Sequence, residues 1–184
     1  MVINDKGLLR AMKEAYKGPG YEIGCRKSGD IKEIYIETSS WFVTCEVKAL
    51  SRKIIGLIAE HLGEIPQQGQ CFQVKKRESQ TKIMEESRNS FGGICPDDCI
   101  NPESAYKTSL AWRQGNIWKC SERGNVLWID PDLEELLNFQ SRAYCLGGKV
   151  LHMSDTTSAV SILPDSPEKE EDKRIINSLA KIVF

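Results

Sequence analysis

The chain has 184 residues, of which 40% are hydrophobic and 28% charged. That is enough apolar material for a real core, which excludes wholesale disorder. Lys plus Arg number 25 and Asp plus Glu 26, a net charge of -1, which excludes a chain whose main work is gripping phosphate backbones. No apolar run approaches membrane-spanning length, and residues 1–10 lack the layout of a signal peptide. The expectation is a cytoplasmic protein without a membrane segment.

The elements follow in chain order. Leu8, Leu9, Met12, Ala15 and Tyr16 recur at helical spacing. Gly18-Pro19-Gly20 stops that helix. Tyr21, Ile23 and Cys25 alternate with polar residues as a half-buried strand does, and Ser28-Gly29-Asp30 turns the chain. Ile34 and Ile36 mark a second strand; Trp41, Val43, Cys45 and Val47 mark a third. Ser51 is a fitting N-cap for a helix with Ile54, Leu57, Ile58, His61 and Leu62 on one side, ended by Gly63. Two short strands follow near 71–76 and 81–85, with 77–80 as their turn.

The composition then changes. Residues 87–104, SRNSFGGICPDDCINPES, are rich in Gly, Pro, Asn, Ser and Asp and have no period. They read as a long loop joining a first α+β half, 1–86, to a second, 105–184. In the second half Tyr106, Thr108, Leu110 and Trp112 alternate. Gly115-Asn116 and Gly124-Asn125 turn the chain into 117–120 and 126–129. Asp130-Pro131 is the best helix start in the chain, leading a stripe of Leu133, Leu136 and Leu137. Further strands read near 143–146, 150–153 and 159–163. Ser166-Pro167 opens a last helix with acidic residues near its positive end and an apolar face of Ile175, Ile176, Leu179, Ile182 and Val183.

Laid side by side, both halves run as three strands, one helix and two strands, 21–86 and 105–153, with almost no residue identity. The fold expectation is α+β: mostly antiparallel sheet in two βββαββ-like halves, with N- and C-terminal helices. Duplicated halves would place two similar sheets packed together, each with its own helix.

Chemistry-bearing residues are few. There are seven cysteines, an odd number that favours a reducing compartment over a disulfide framework. Cys25, Cys45, Cys71, Cys120 and Cys145 lie in expected strands and behave there as small buried hydrophobes. Cys95 and Cys99 lie on the polar loop and could chelate one zinc, the only cofactor the sequence suggests. A closed site needs two more ligands, and the only histidines, His61 and His152, are isolated. Asp97 and Asp98 would raise the loop thiols rather than activate them. His152, Ser154 and Asp155 match a triad by type alone, and no GxSxG, GxGxxG or P-loop occurs. His61 reads as a boundary residue or helix-end cation. Asp130, Asp132 and Glu134 read as helix-start acids, beside Glu135.

Three of the four tryptophans, Trp112, Trp118 and Trp128, fall in one three-stranded meander with Arg113, Lys119 and Arg123 among them. Interleaved rings and cations on a sheet can stack single-stranded bases or hold a partner peptide; the alternative is that the rings fill the core of a small sheet, as large aromatics generally do. The basic group Lys48, Arg52, Lys53, Lys75, Lys76 and Arg77 reads as a solvated face.

The phrases LLRAMKEAYKGPGYEI and SRKIIGLIAEHLGEIPQQGQCFQV resemble small uncharacterised proteins of gut-dwelling Gram-positive bacteria, including those of phages and mobile elements. The resemblance covers about the first 80 residues and implies a bacterial cytoplasmic setting, with no activity and no site residues. The leading functional expectation is a non-catalytic module that binds a protein partner or its own copy. The alternatives are a nucleic-acid-associated accessory protein using the Trp/Arg sheet, and a zinc-binding or thiol-dependent protein centred on Cys95 and Cys99.

Overall fold

A computed structural model of the chain describes residues 1–76, 81–83, 102–121, 124–167, 169–179 and 181–182. Asn4 caps the first helix, α1 (Asp5–Lys17), by accepting the amides of Lys6 and Gly7. Three strands follow: β1 (Tyr21–Ser28), β2 (Ile31–Glu37) and β3 (Trp41–Glu46). A single 3-10 turn (Val47–Ala49) leads to α2 (Arg52–Leu62), capped by Ser51. Gly63 ends α2 at φ 87, a left-handed conformation that costs glycine no Cβ clash. β4 (Cys71–Val74) and β5 (Thr81–Ile83) complete the first half.

The second half begins with β6 (Glu103–Trp112), β7 (Gly115–Cys120) and β8 (Val126–Ile129). Asp130 caps α3 (Pro131–Glu134), followed by β9 (Ala143–Leu146), β10 (Val150–Ser154) and β11 (Ser158–Ile162). The last helix is α4 (Glu170–Leu179). The architecture is α+β, as the patterning predicts, and among the described residues no helix is long and apolar enough to cross a membrane.

The eleven strands form one sheet rather than two packed sheets, in the order β5-β4-β1-β2-β3-β11-β10-β9-β6-β7-β8. Every ladder between these strands is antiparallel. Each half threads its strands alike: fourth beside first, first beside second, second beside third. β11 lies between β3 and β10, pairing Val160 with Val43 on one side and with Met153 on the other. It satisfies the backbone groups of both inner edges, so the halves join edge to edge instead of stacking.

Directly paired residues of an antiparallel sheet share a face. One face carries Ile23, Ile34, Ile36, Val43, Val160, Leu151, Cys145, Trp118 and Leu127, which join Leu8 and Met12 of α1 and Ile54, Leu57 and Ile58 of α2 in one core. α1 lies across the middle, against both α2 and α3. It approaches α3 so closely that a Cβ on Gly7 would overlap the Glu135 carbonyl. The Asn4 amide donates to Leu136 O at 2.9 Å, and the Asn138 amide donates to Val2 O at 2.7 Å. Arg10 pairs with Asp132 and Glu135.

Three local expectations are corrected. β6 starts at Glu103, inside the expected loop. Its buried residues are Glu103 and Ala105, while Tyr106 is 44% exposed, because the core lies on the face of Glu103 and Ala105 and Tyr106 pairs with Lys119 on the other face. The Asp130-Pro131 helix lasts one turn, and Leu136 and Leu137 are buried beyond its end.

Candidate interaction site

The central strand of each half sets the contrast that builds the site. The first, third and fifth residues of β1 are Tyr21, Ile23 and Cys25, all buried in the core. The same positions of β6 are Glu103, Ala105 and Lys107. Apolar cover from a full helix suits the first set. A charged lysine in the second needs a carboxylate, and α3 supplies Glu134.

Glu134 is 4% exposed. Its Oε1 accepts from Trp118 Nε1 at 2.6 Å, and its Oε2 accepts from Lys107 Nζ and Asn116 Nδ2, each at 2.6 Å. A buried carboxylate is tolerable only when its lone pairs are filled by donors, preferably charged ones. Glu134 is therefore a buried hub and not a helix-start acid. Asp132 behaves as that reading expects, exposed and paired with Arg10.

The hub fixes what lies above it. Phe139 stacks on Trp118, ring centroids 6.3 Å apart and planes 16° apart, and Lys107 Nζ lies 5.6 Å from the Phe139 centroid. Phe139 sits in a tight turn in which the Ser141 amide donates to Asn138 O. Asn138 is itself tied to the leading segment, its side-chain amide donating to Met1 O at 3.2 Å. Phe139 nevertheless remains 56% exposed, more than any other large apolar side chain among the described residues.

Beside this ring is an open depression of about 480 Å3 lined by Ile3, Asn4, Asp5, Leu137, Asn138, Phe139 and Gln140. Asp5 Oδ1 is buried there without a hydrogen-bond partner among the described residues. The depression combines an aromatic wall and three side-chain amides.

The opposite face of the meander is different. Trp112 and Trp128 are half-buried, and Trp118 is buried on the other side of the sheet. The Trp128 ring lies over Gly115, where any Cβ would overlap it, and its Nε1 donates to Trp112 O at 3.1 Å. Trp112 Nε1 donates to Asp172 of α4 at 3.3 Å, and Arg113 pairs with the same carboxylate at 2.9 Å. Lys119 Nζ donates to Ile182 O at 3.3 Å. The structure therefore splits the meander, with Trp118 in the hub and Trp112, Arg113, Lys119 and Trp128 under α4. Arg123, Cys95 and Cys99 lie outside the described residues.

Both histidines and the described cysteines make contacts within the fold. His61 is buried, not a helix-end cation: its Nδ1 shares a 2.9 Å hydrogen bond with the Tyr21 hydroxyl, and its ring stacks on Tyr16 at 3.8 Å. Burial lowers His61 and raises the Tyr21 hydroxyl. His152 lies within β10, bonded through Nδ1 to Ser161 Oγ at 2.9 Å and lowered by burial, apart from Ser154 and Asp155 in its contacts. The five strand cysteines are free and buried, and burial pushes Cys45 up to about 11, the state of an inert thiol. Cys120 of β7 and Cys145 of β9 interact across β6, which raises the first and lowers the second. Among the described residues, no group of three or more His, Cys, Asp and Glu is placed to hold a metal ion.

The sequence reading missed Phe139, Lys107, Glu134 and Asp5. The one local signal was the short NFQS turn after the leucine stripe, where an aromatic stands between turn residues. No protein-family model matches the chain, and no curated protein matches it.

Proposed function

We propose that this chain is a non-catalytic binding module that holds an extended segment of a protein partner on the Phe139 surface. The observation that carries the reading is an exposed aromatic ring fixed from below. Single exposed apolar residues are common. This one is stacked on Trp118, crossed by Lys107 and turned outward by a pinned turn, so little side-chain entropy is left to lose on binding. Rigid aromatics beside a depression are what interface anchors consist of. An apolar partner side chain would pack on Phe139, and the side-chain amides of Asn138 and Gln140 beside it would meet partner backbone groups.

The test is a nuclear magnetic resonance titration of the full chain with N-acetyl-leucine methylamide, a minimal peptide mimic. At millimolar probe the amides of Asp5, Phe139 and Gln140 and the Trp118 indole N–H shift first, and Phe139→Ser abolishes the response. No shift, or shifts centred on another surface, contradicts the reading.

A further inference from the structure

α4 is attached differently from the other long helices. Only Asp172 and Ile176 of its ten residues are buried, whereas α1 buries four residues and α2 five. Ile176 and the sheet residue Ile117 are both buried, yet neither belongs to the core that unites the sheet with α1 and α2. A ten-residue helix is marginal by itself in water. α4 therefore depends on its seat, and little of the core depends on α4.

The seat has a defined pattern. Asp172 meets Trp112 and Arg113 at the tip of the β6–β7 hairpin, and Ile182 meets Lys119 near the far end of β7. α4 packs against β8, whose Trp128 shares a sheet face with its paired neighbour Ile117. Arg113 holds φ 50, an unfavourable value for a residue with a Cβ, and such strain persists where the surroundings fix it. On α4, Asp172, Ile175, Ile176 and Leu179 fall at i, i+3, i+4 and i+7, the spacing by which an amphipathic helix is read in a groove.

We infer that the face formed by Trp112, Arg113, Ile117, Lys119 and Trp128 is a helix-recognition groove. α4 is its built-in occupant, and a partner helix displaces α4 if it carries a carboxylate in its first turn and apolar residues three, four and seven positions on. Arg113 and the Trp112 indole read the carboxylate. Trp128 and Ile117 receive the apolar stripe. Occupancy by α4 reduces the apparent affinity for a partner to its intrinsic value multiplied by the fraction of time the groove is open. This surface is separate from Phe139, so the two readings stand or fall independently.

The experiment uses the full chain and a fluorescein-labelled peptide of residues 169–182. Asp172→Arg repels Arg113 and frees the groove, so this variant binds the peptide at least tenfold more tightly than the unaltered protein by fluorescence anisotropy. Adding Arg113→Asp restores the internal pair and removes the binding, while Phe139→Ser changes nothing. A folded Asp172→Arg variant that binds no better than the unaltered protein overturns the inference, as does binding indifferent to Arg113→Asp. If Asp172→Arg does not fold, hydrogen exchange on the unaltered protein decides. Amides of α4 exchange at least tenfold faster than those of β10 and β11, and equal protection overturns the inference. A concentration-dependent dimer that exchanges α4 between copies would also overturn it, since the groove would then serve a second copy of the chain.

Discussion

Above the first half of the sheet, α2 lays Ile54, Leu57, Ile58 and Leu62 onto Ile23, Ile34 and Ile36. Above the second half, α3 stops after Glu134, and a carboxylate with three donors takes the place of an apolar helix face. The strand threading is the same in both halves, so the difference lies in what each presents. A full helix closes its half against solvent. A one-turn helix leaves room for a turn that carries Phe139 outward and for the depression beside it. Topology can be shared while the two halves present different surfaces.

Substitutions can break that comparison in descending order of effect. In the covered half Ile58→Ala empties a site with no solvent exposure and should cost about 2–5 kcal/mol in urea unfolding. A loss under about 1 kcal/mol would mean that α2 does not carry the core of its half. At the junction, Gly7→Val forces a side chain into the Glu135 carbonyl and should cost about 3 kcal/mol. It should also split one unfolding transition into two if α1 is what couples the halves.

In the open half Glu134→Gln keeps the shape and removes the charge that Lys107 and Trp118 bind. The expected loss is about 1–3 kcal/mol, accompanied by a change in tryptophan emission as Trp118 is released. Ile58→Ala should leave the emission of Trp118 unchanged, which separates the two kinds of cover.

Histidines in both halves contribute to the pH dependence. His61 is lowered by burial, with Lys13 adding to the effect and Glu60 opposing it. The unfolded chain therefore binds the proton more readily than the native one. Stability from this group is complete above the unfolded pKa of about 6.5 and is lost as pH falls below it. His152 is lowered in the same direction. Thermal unfolding should weaken between pH 7 and pH 5, and His61→Gln should flatten part of that slope; an unchanged slope would show that His61 is not held neutral. The smallest expected effect is that of Phe139→Ser, within about 0.5 kcal/mol of the unaltered protein for a residue this exposed. A larger loss would make Phe139 part of the core.

Elements governed by local chemistry could be read from sequence. The caps Ser51 and Asp130, the stop at Gly63, the stripes of α1 and α2 and the buried strand cysteines all depend on neighbours within a few residues. The shared element order of the halves was also visible, though not how the strands pair. What escaped depends on distant partners. The burial of Glu134 requires Lys107, Asn116 and Trp118 from two other strands. β11 fuses the halves into one sheet because both inner edges need pairing, which no local pattern announces. The face of β6 was misread because Tyr106 and Trp112 share the face of Lys119 and Gly115, while the core takes Glu103 and Ala105 on the other. Phe139 carries no periodicity at all, and its importance comes only from the rings and turn beneath it.

The central claim is that Phe139 is exposed yet held. Nuclear magnetic relaxation of the Phe139 backbone and ring, set against β7 in the same sample, tests it most directly. The account predicts backbone order near that of the strand, about 0.85, with a ring equally restrained. Backbone order below about 0.6, or free ring motion over a rigid Trp118, would contradict it.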